Sequence, residues 1–372
     1  MNDETFSNIS KIIERDSKTT TYKFALLRGT IDIIQENSPF IILHEDFVEI
    51  PLGLLIEKWL IYYYPILDSK IYIPQINGEK TKISFQEQFK KVIDYYSLQG
   101  GLSVFYNDLR SKGISTIIGK EFYDLIKVLK DNIVKNPMKY IGNSINKSLN
   151  SIYSYNNNSS LKNDSVQNTN WLINGCGTFS IPSNYYYAFK TLGSFISGTD
   201  NILFKWAEFS VNASTSNLKT EQALNEILRN PVVEREVEDV RRIYNSMKNN
   251  KQELICVWSN RKIDGVIEID HMIPFSIWKN NDLWNLLPTR REVNGKKSDK
   301  IPSKNTLIKQ KDLIIYYWDI LSQANHNKFM EEIQISLLGN GSRNNWKNAA
   351  FEQLLNTSKY LIETRGYEEW II

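Results

Sequence analysis

Apolar residues recur every three to four positions over most of the first 135 residues. In SFQEQFKKVIDYYSL the apolar set is Phe85, Phe89, Val92, Ile93 and Tyr96, and KEFYDLIKVLKDNIV repeats it with Phe122, Leu125, Ile126, Leu129 and Ile133. That period puts each set on one face of a helix. KTTTYKFALLRGTIDIIQEN opens on threonines, whose hydroxyls can cap a helix, and then turns apolar. Residues 70–83, KIYIPQINGEKTKI, predict a short strand or hairpin around the Asn77–Gly78 turn pair. From 143 to 170 the period is lost. The composition there is Asn- and Ser-rich, with YNNNSSLKND at its centre, and predicts a loop or linker.

Farther on, WLINGCGTFSIP predicts a short strand, and YYYAFKTLGSFISGTDNILFKWAEFS predicts two helices around a glycine break. Residues 218–248 predict two helices divided by Pro231, a residue suited to a first helical turn. Val233, Val237, Val240, Ile243, Tyr244 and Met247 would line one face of the second. LICVWSNRKIDGVIEIDHMIP predicts a β-hairpin turning at Asp264–Gly265, with Glu268 and Asp270 on one face of its second strand. TRREVNGKK has helical character, which would place Asn294 and Lys297 one turn apart. Beyond Pro302 three helices are predicted, divided at Asn325 and around LGNGSRNN.

Composition narrows the class. The chain of 372 residues is long enough for two or three domains, and 41% hydrophobic with 23% charged residues is a globular balance. PLGLLIEKWLIYYYPIL is its most apolar run, but Glu57 and Lys58 interrupt it, so a core helix is expected rather than a membrane span. The N-terminus is acidic and polar, unlike a signal peptide, which predicts a cytoplasmic protein. The two cysteines, Cys176 and Cys256, belong to no CxxC pair and imply no disulfide framework. Net charge is only +3, too weak to argue nucleic-acid binding for the chain as a whole. Residues 289–312, however, hold eight Lys or Arg against three acids, a local excess of +5 that leaves −2 for the rest.

The basic stretch follows the most informative motif. One of three histidines, His271, sits directly after Asp270, and Asn285 and Asn294 follow it at offsets of 14 and 23. Strand, loop and short helix would converge an acid, an imidazole and an amide on one point. Asp270 and the Asn294 amide oxygen are hard ligands suited to Mg²⁺ or Mn²⁺. An imidazole of ordinary pKa near ~6.5 can take a proton from water at neutral pH. Lys297 and its neighbours Lys296, Arg290, Arg291 and Lys300 would grip a nucleic-acid backbone. Three roles stay open for Glu268: metal ligand, an acid behind the ligands, or an exposed strand position. Trp258, Trp278 and Trp284 suit packing around the motif better than base stacking. His44 and His326 have no partner pattern and read as structural.

The segment 254–303 resembles the HNH, or ββα-metal, endonucleases. The resemblance makes His271 the general base, Asn285 the loop-steadying asparagine and Asn294 a metal ligand, with Asp270 as a second ligand. Within that family it is most similar to the HNH domain of RNA-guided CRISPR effector nucleases, sharing the DH…P opening and a trailing set in Gly295, Lys297, Ser298, Asp299 and Pro302. The flanking CxxC pairs that hold zinc in many members are reduced to Cys256 and Ser259, so no structural zinc is expected. At this length, and with no second nuclease domain visible, a shared catalytic module is expected rather than a guide-directed enzyme.

The expected fold class is α+β. Its parts are a helical N-terminal domain (1–142), the Asn/Ser-rich linker (143–170), a helical region (171–250), the ββα-metal module (251–304) and bracing C-terminal helices (305–372). The expected activity is divalent-metal-dependent hydrolysis of DNA in bacterial restriction or antiphage defence. An RNA-cleaving toxin with the same site, a nuclease subunit active only with a partner protein, and a non-catalytic binding subunit with a decayed site are the alternatives; DNA is the expected partner, with a defence-system protein or a second copy of the chain beside it. No membrane partner is expected.

Overall fold

A computed structural model describes residues 3–78, 82–142, 151–197, 202–341 and 343–372. The fold is α+β, mainly helical with three small sheets among the described residues. It divides into two compact units, Met1–Val232 and Val233–Ile372, each with its own hydrophobic core. The boundary cuts the region 171–250 that the sequence suggested as one piece. Helix Thr220–Ile227 stays with the first unit, whereas helix Glu238–Asn249 buries Val240, Tyr244 and Met247 in the second core.

In the first unit the apolar run at 52–68 is a helix, Leu52–Asp68, whose Trp59, Leu60, Tyr63 and Tyr64 are fully buried. No helix among the described residues is long and apolar enough to cross a membrane. The charge that interrupts the run is neutralised inside: Glu57 accepts from the Thr169 hydroxyl at 2.6 Å and pairs with Arg110 at 3.4 Å. Gly53 in this helix lies against the backbone of helix Thr169–Gly175. A Cβ there would fall 2.2 Å from the Leu172 carbonyl carbon. Gly→Ala in a helix ordinarily gains up to ~1 kcal/mol, but here backbone would have to move. Gly53→Ala is therefore expected to destabilise the unit by about 2–3 kcal/mol, read by urea denaturation.

The helices at 86–97 and 119–135 form as the period predicts. Thr21 does precede helix Tyr22–Gln35, but its hydroxyl makes no cap. It is completely buried, donates to the Gln75 side chain at 2.8 Å and meets the Tyr63 hydroxyl at 3.0 Å, an interior network that outweighs a local cap. Of the expected hairpin at 70–83 no strand forms. Only an isolated bridge joins Ile76 to Thr20, and 79–81 lie outside the described residues. The sheet of this unit runs β1 (Ile42–Leu43), β2 (Phe47–Pro51), β4 (Thr178–Pro182), β3 (Ser154–Asn156), all antiparallel. Strand β3 comes from the segment expected to be a linker, whose first part, 143–150, lies outside the described residues. Residues 154–156 of that segment thus pair with β4.

The second unit holds the motif. Residues 228–237 are not helical, so Pro231 opens no helix and Val233 and Val237 fall outside Glu238–Asn249. Strand β5 (Glu268–His271) pairs antiparallel with β6 (Leu286–Thr289), with Asp270 opposite Leu287 and His271 opposite Leu286. The hairpin expected within 254–274 is absent. Cys256–Asn260 forms the turn instead, and only one bridge, Ile255 to Lys262, links its arms. The Val257 N–H donates to the Pro288 carbonyl at 3.0 Å, so this arm leans on β6. Helix Arg291–Lys297 follows and packs on β5. Helices Lys304–Ala324, His326–Ile333 and Trp346–Glu363 complete the unit, divided where the sequence predicts. A short parallel pair joins β7 (Ile301–Pro302) to β8 (Glu369–Trp370).

Candidate active site in the C-terminal unit

Strand β5 ends on Asp270 and His271, both nearly inaccessible at 3% and 2% of their free surface. The loop that follows is pinned by Asn285. Its side-chain oxygen accepts from the Ile273 N–H at 2.7 Å, and its amide donates to the Ile273 carbonyl at 2.9 Å. One side chain thereby satisfies both backbone polar groups of Ile273, a residue outside the strands. Asn285 is completely buried, and both ends of its side-chain amide are taken up by the loop backbone.

The Asp270 carboxylate accepts from the Trp258 indole N–H at 2.6 Å and from the Lys297 ammonium at 3.2 and 3.1 Å. Lys297 also donates to the His271 carbonyl at 2.8 Å. It was expected among the cations that hold a nucleic-acid backbone, and the structure corrects this. Lys297 has no accessible surface, because the turn of helix Arg291–Lys297 aims it inward at the strand end. Burial pushes the Asp270 carboxyl up and the Lys297 ammonium down, and their ion pair works against both shifts. Of the other expected cations, Arg291 and Lys296 are exposed, Arg290 pairs with Glu292 at 2.6 Å, and Lys300 pairs with Glu368 at 2.5 Å.

Burial pushes the His271 imidazole down to about 4; the Asn281 contact pulls it up, while the charges of Arg235 and Lys297 add to the fall. The ring lies edge-to-face with Phe275. Its Nε2 is 3.3 Å from the Asn281 side-chain oxygen, and its Nδ1 is buried with no hydrogen-bond partner among the described residues. Asn281 was not singled out in the sequence. Its other partners are backbone groups at 234 and 236, so no motif spacing marks it.

Among the described residues no three His, Cys, Asp or Glu side chains cluster as a metal site. The donors that remain nonetheless suit one hard cation. Two acceptor positions on the Asp270 carboxylate go to Lys297 and one to Trp258, which leaves one of about four. Asn294 is half-buried on the helix that packs on β5, and its side-chain amide makes no hydrogen bond among the described residues. Carboxylate and amide oxygens are ligands of Mg²⁺ and Mn²⁺ and poor ligands of soft metals. Glu268 shares the Asp270 face of β5 and is half-buried.

Cys256 is buried, with its sulfur 3.3 Å from the Thr289 hydroxyl and accepting from the Arg290 N–H at 3.4 Å. Trp258 and Trp284 are buried, and the half-buried Trp278 meets Trp284 in a T-shaped contact at 5.6 Å.

Two family models match the chain. One, for a domain of unknown function (DUF8808), covers residues 2–227. The other, for an HNH endonuclease, covers residues 256–303. No curated protein matches.

Proposed function

From the premise that the chain belongs to the DUF8808 family and carries an HNH endonuclease module, we propose that it is a divalent-metal-dependent DNA endonuclease whose N-terminal domain directs or restrains cleavage. The observation that carries this reading is the end of β5. There a neutral imidazole and a carboxylate are adjacent, and an unpartnered amide sits on the helix packed beside them.

In this reading His271 is the base that accepts a proton from the attacking water. Its lowered pKa keeps it neutral throughout the physiological range. Asp270 and Asn294 would hold Mg²⁺ or Mn²⁺, with Glu268 as a further candidate, and the ion would supply charge stabilisation at the scissile phosphate. Asn285 fixes the loop that carries the base. Lys297 orients the Asp270 carboxylate from behind, and the exposed Arg291 and Lys296 meet the nucleic-acid backbone, with Arg290 and Lys300 joining once freed from Glu292 and Glu368.

The match of Gly295, Lys297, Ser298, Asp299 and Pro302 to the HNH domain of RNA-guided effectors favours DNA over RNA. A chain that joins such a module to a large domain without a chemical signature fits a restriction or antiphage role with a triggering partner. Supercoiled plasmid and total RNA, each incubated with Mg²⁺, Mn²⁺ or EDTA, test the reading. Metal-dependent nicking of the plasmid is expected. Cutting of RNA alone, or cutting undiminished by EDTA, would replace it.

A further inference from the structure

Residues 233–237, which form no helix or strand, make a strap bonded to the nuclease site. The Arg235 guanidinium donates to the Ile269 carbonyl at 3.1 Å, in the strand that carries the base. The Asn281 amide donates to the Glu234 carbonyl at 2.8 Å, and the Glu236 N–H donates to the Asn281 side-chain oxygen at 3.0 Å. A peptide N–H can only donate and a peptide carbonyl can only accept, so these two bonds fix which end of the amide is oxygen. The same oxygen lies 3.3 Å from His271 Nε2. An oxygen without a proton can only accept, so Nε2 must carry the hydrogen. The lone pair is then left on Nδ1, the ring nitrogen that is buried and has no partner among the described residues.

We propose that Asn281, clamped by the backbone of Glu234 and Glu236, is the positioning residue that holds the His271 proton on Nε2 and leaves Nδ1 as the proton acceptor, so that the strap leading out of the DUF8808 domain governs the nuclease base. The proposal rests on His271 being the base. The matched N-terminal domain ends at residue 227, and the strap bonds begin at 234. The chain leaving the matched domain therefore runs within a few residues into the backbone groups that hold Asn281. A neutral imidazole without a partner at either nitrogen divides between two tautomers. Only one of them offers Nδ1, so releasing the clamp lowers the fraction of molecules with a competent base.

The full-length protein, labelled with ¹⁵N-histidine, gives the test. The chain has only His44, His271 and His326, and long-range proton–nitrogen correlation reads the protonation of each ring nitrogen separately. In the wild type His271 is expected to be protonated on Nε2 and bare on Nδ1. Asn281→Ala removes the acceptor, and Glu236→Pro removes the N–H that orients it. Both are expected to move the two His271 nitrogens towards the averaged signals of mixed tautomers and to slow cleavage about 10–100-fold, the usual cost of losing an orienting partner. Asn281→Asp keeps the acceptor oxygen and is expected to keep the Nε2-protonated form. The His44 and His326 signals report folding of the two units independently. A wild-type ring protonated on Nδ1, or unaltered His271 nitrogens in Asn281→Ala, overturns the proposal. If the wild type cleaves nothing, the ring-nitrogen result still decides the clamp, while the nuclease reading fails separately.

Discussion

Cleavage by the His271→Ala protein is expected to fall by ~10²–10⁴ while the fold and the binding of DNA persist. The imidazole is the one group at the end of β5 able to take a proton at neutral pH, since Asp270 is engaged by Trp258 and Lys297. The substitution also has a sign in acid. Burial lowers the folded imidazole to about 4, against an ordinary 6.5. The unfolded chain therefore takes up the proton first, and the folded form loses stability as pH falls from 6.5 towards 4. Fully developed, that loss is about 3 kcal/mol, and His271→Ala should remove it. Urea denaturation at pH 7 and pH 4.5, for wild type and variant together, separates this from other acid effects. A variant that cuts within a factor of two of the wild type, or that keeps the same acid dependence, would take the base away from His271.

The HNH motif was legible because it consists of residue types at fixed offsets. His271, Asn285 and Asn294 stand out in a chain with three histidines, and the short helix that carries Asn294 can be read from TRREVNGKK alone. The long helices were legible for a different reason, since their core faces repeat every 3.6 residues. Strand pairing was not. The partner of β5 is β6, across the loop that Asn285 pins, while the run 254–258, apolar and close in sequence, supplies only a bridge and a turn. Choosing between two β-rich neighbours depends on contacts that neither segment encodes by itself. The same limit hid Asn281, whose partners are backbone atoms 45 and 47 residues away. Thr21 shows the limit at a helix start, where a residue suited to capping serves a buried network instead. In the DUF8808 domain the sequence shows a core, and interior pairs such as Glu57 with Thr169 and Arg110 depend on partners more than 50 residues away that no local pattern marks.

Lys297→Met is expected to cost about 3–5 kcal/mol of stability, the typical price of leaving one member of a buried ion pair alone. A methionine fills much the same volume, so the loss would be electrostatic. Asp270 would be left in a site of 3% exposure with the Trp258 N–H as its remaining partner, so burial would push its carboxyl up with no ammonium to oppose the shift, and the His271 carbonyl would lose its donor. The double variant Asp270→Asn/Lys297→Met removes both charges, and Trp258 can still donate to the asparagine oxygen. It should recover much of the loss, so the two substitutions are strongly non-additive. Catalysis should fail in both proteins, which makes stability the informative measurement. A lysine that gripped phosphate would behave in the opposite way. Its removal would leave the urea midpoint unchanged, weaken DNA binding and flatten its salt dependence by about one unit of slope. The midpoints of the single and double variants, with the salt slope of DNA binding for Lys297→Met beside that for Lys296→Met, therefore distinguish a buried strut from a surface contact. A Lys297→Met protein as stable as the wild type would return Lys297 to the nucleic-acid surface and leave Asp270 without the partner that orients it.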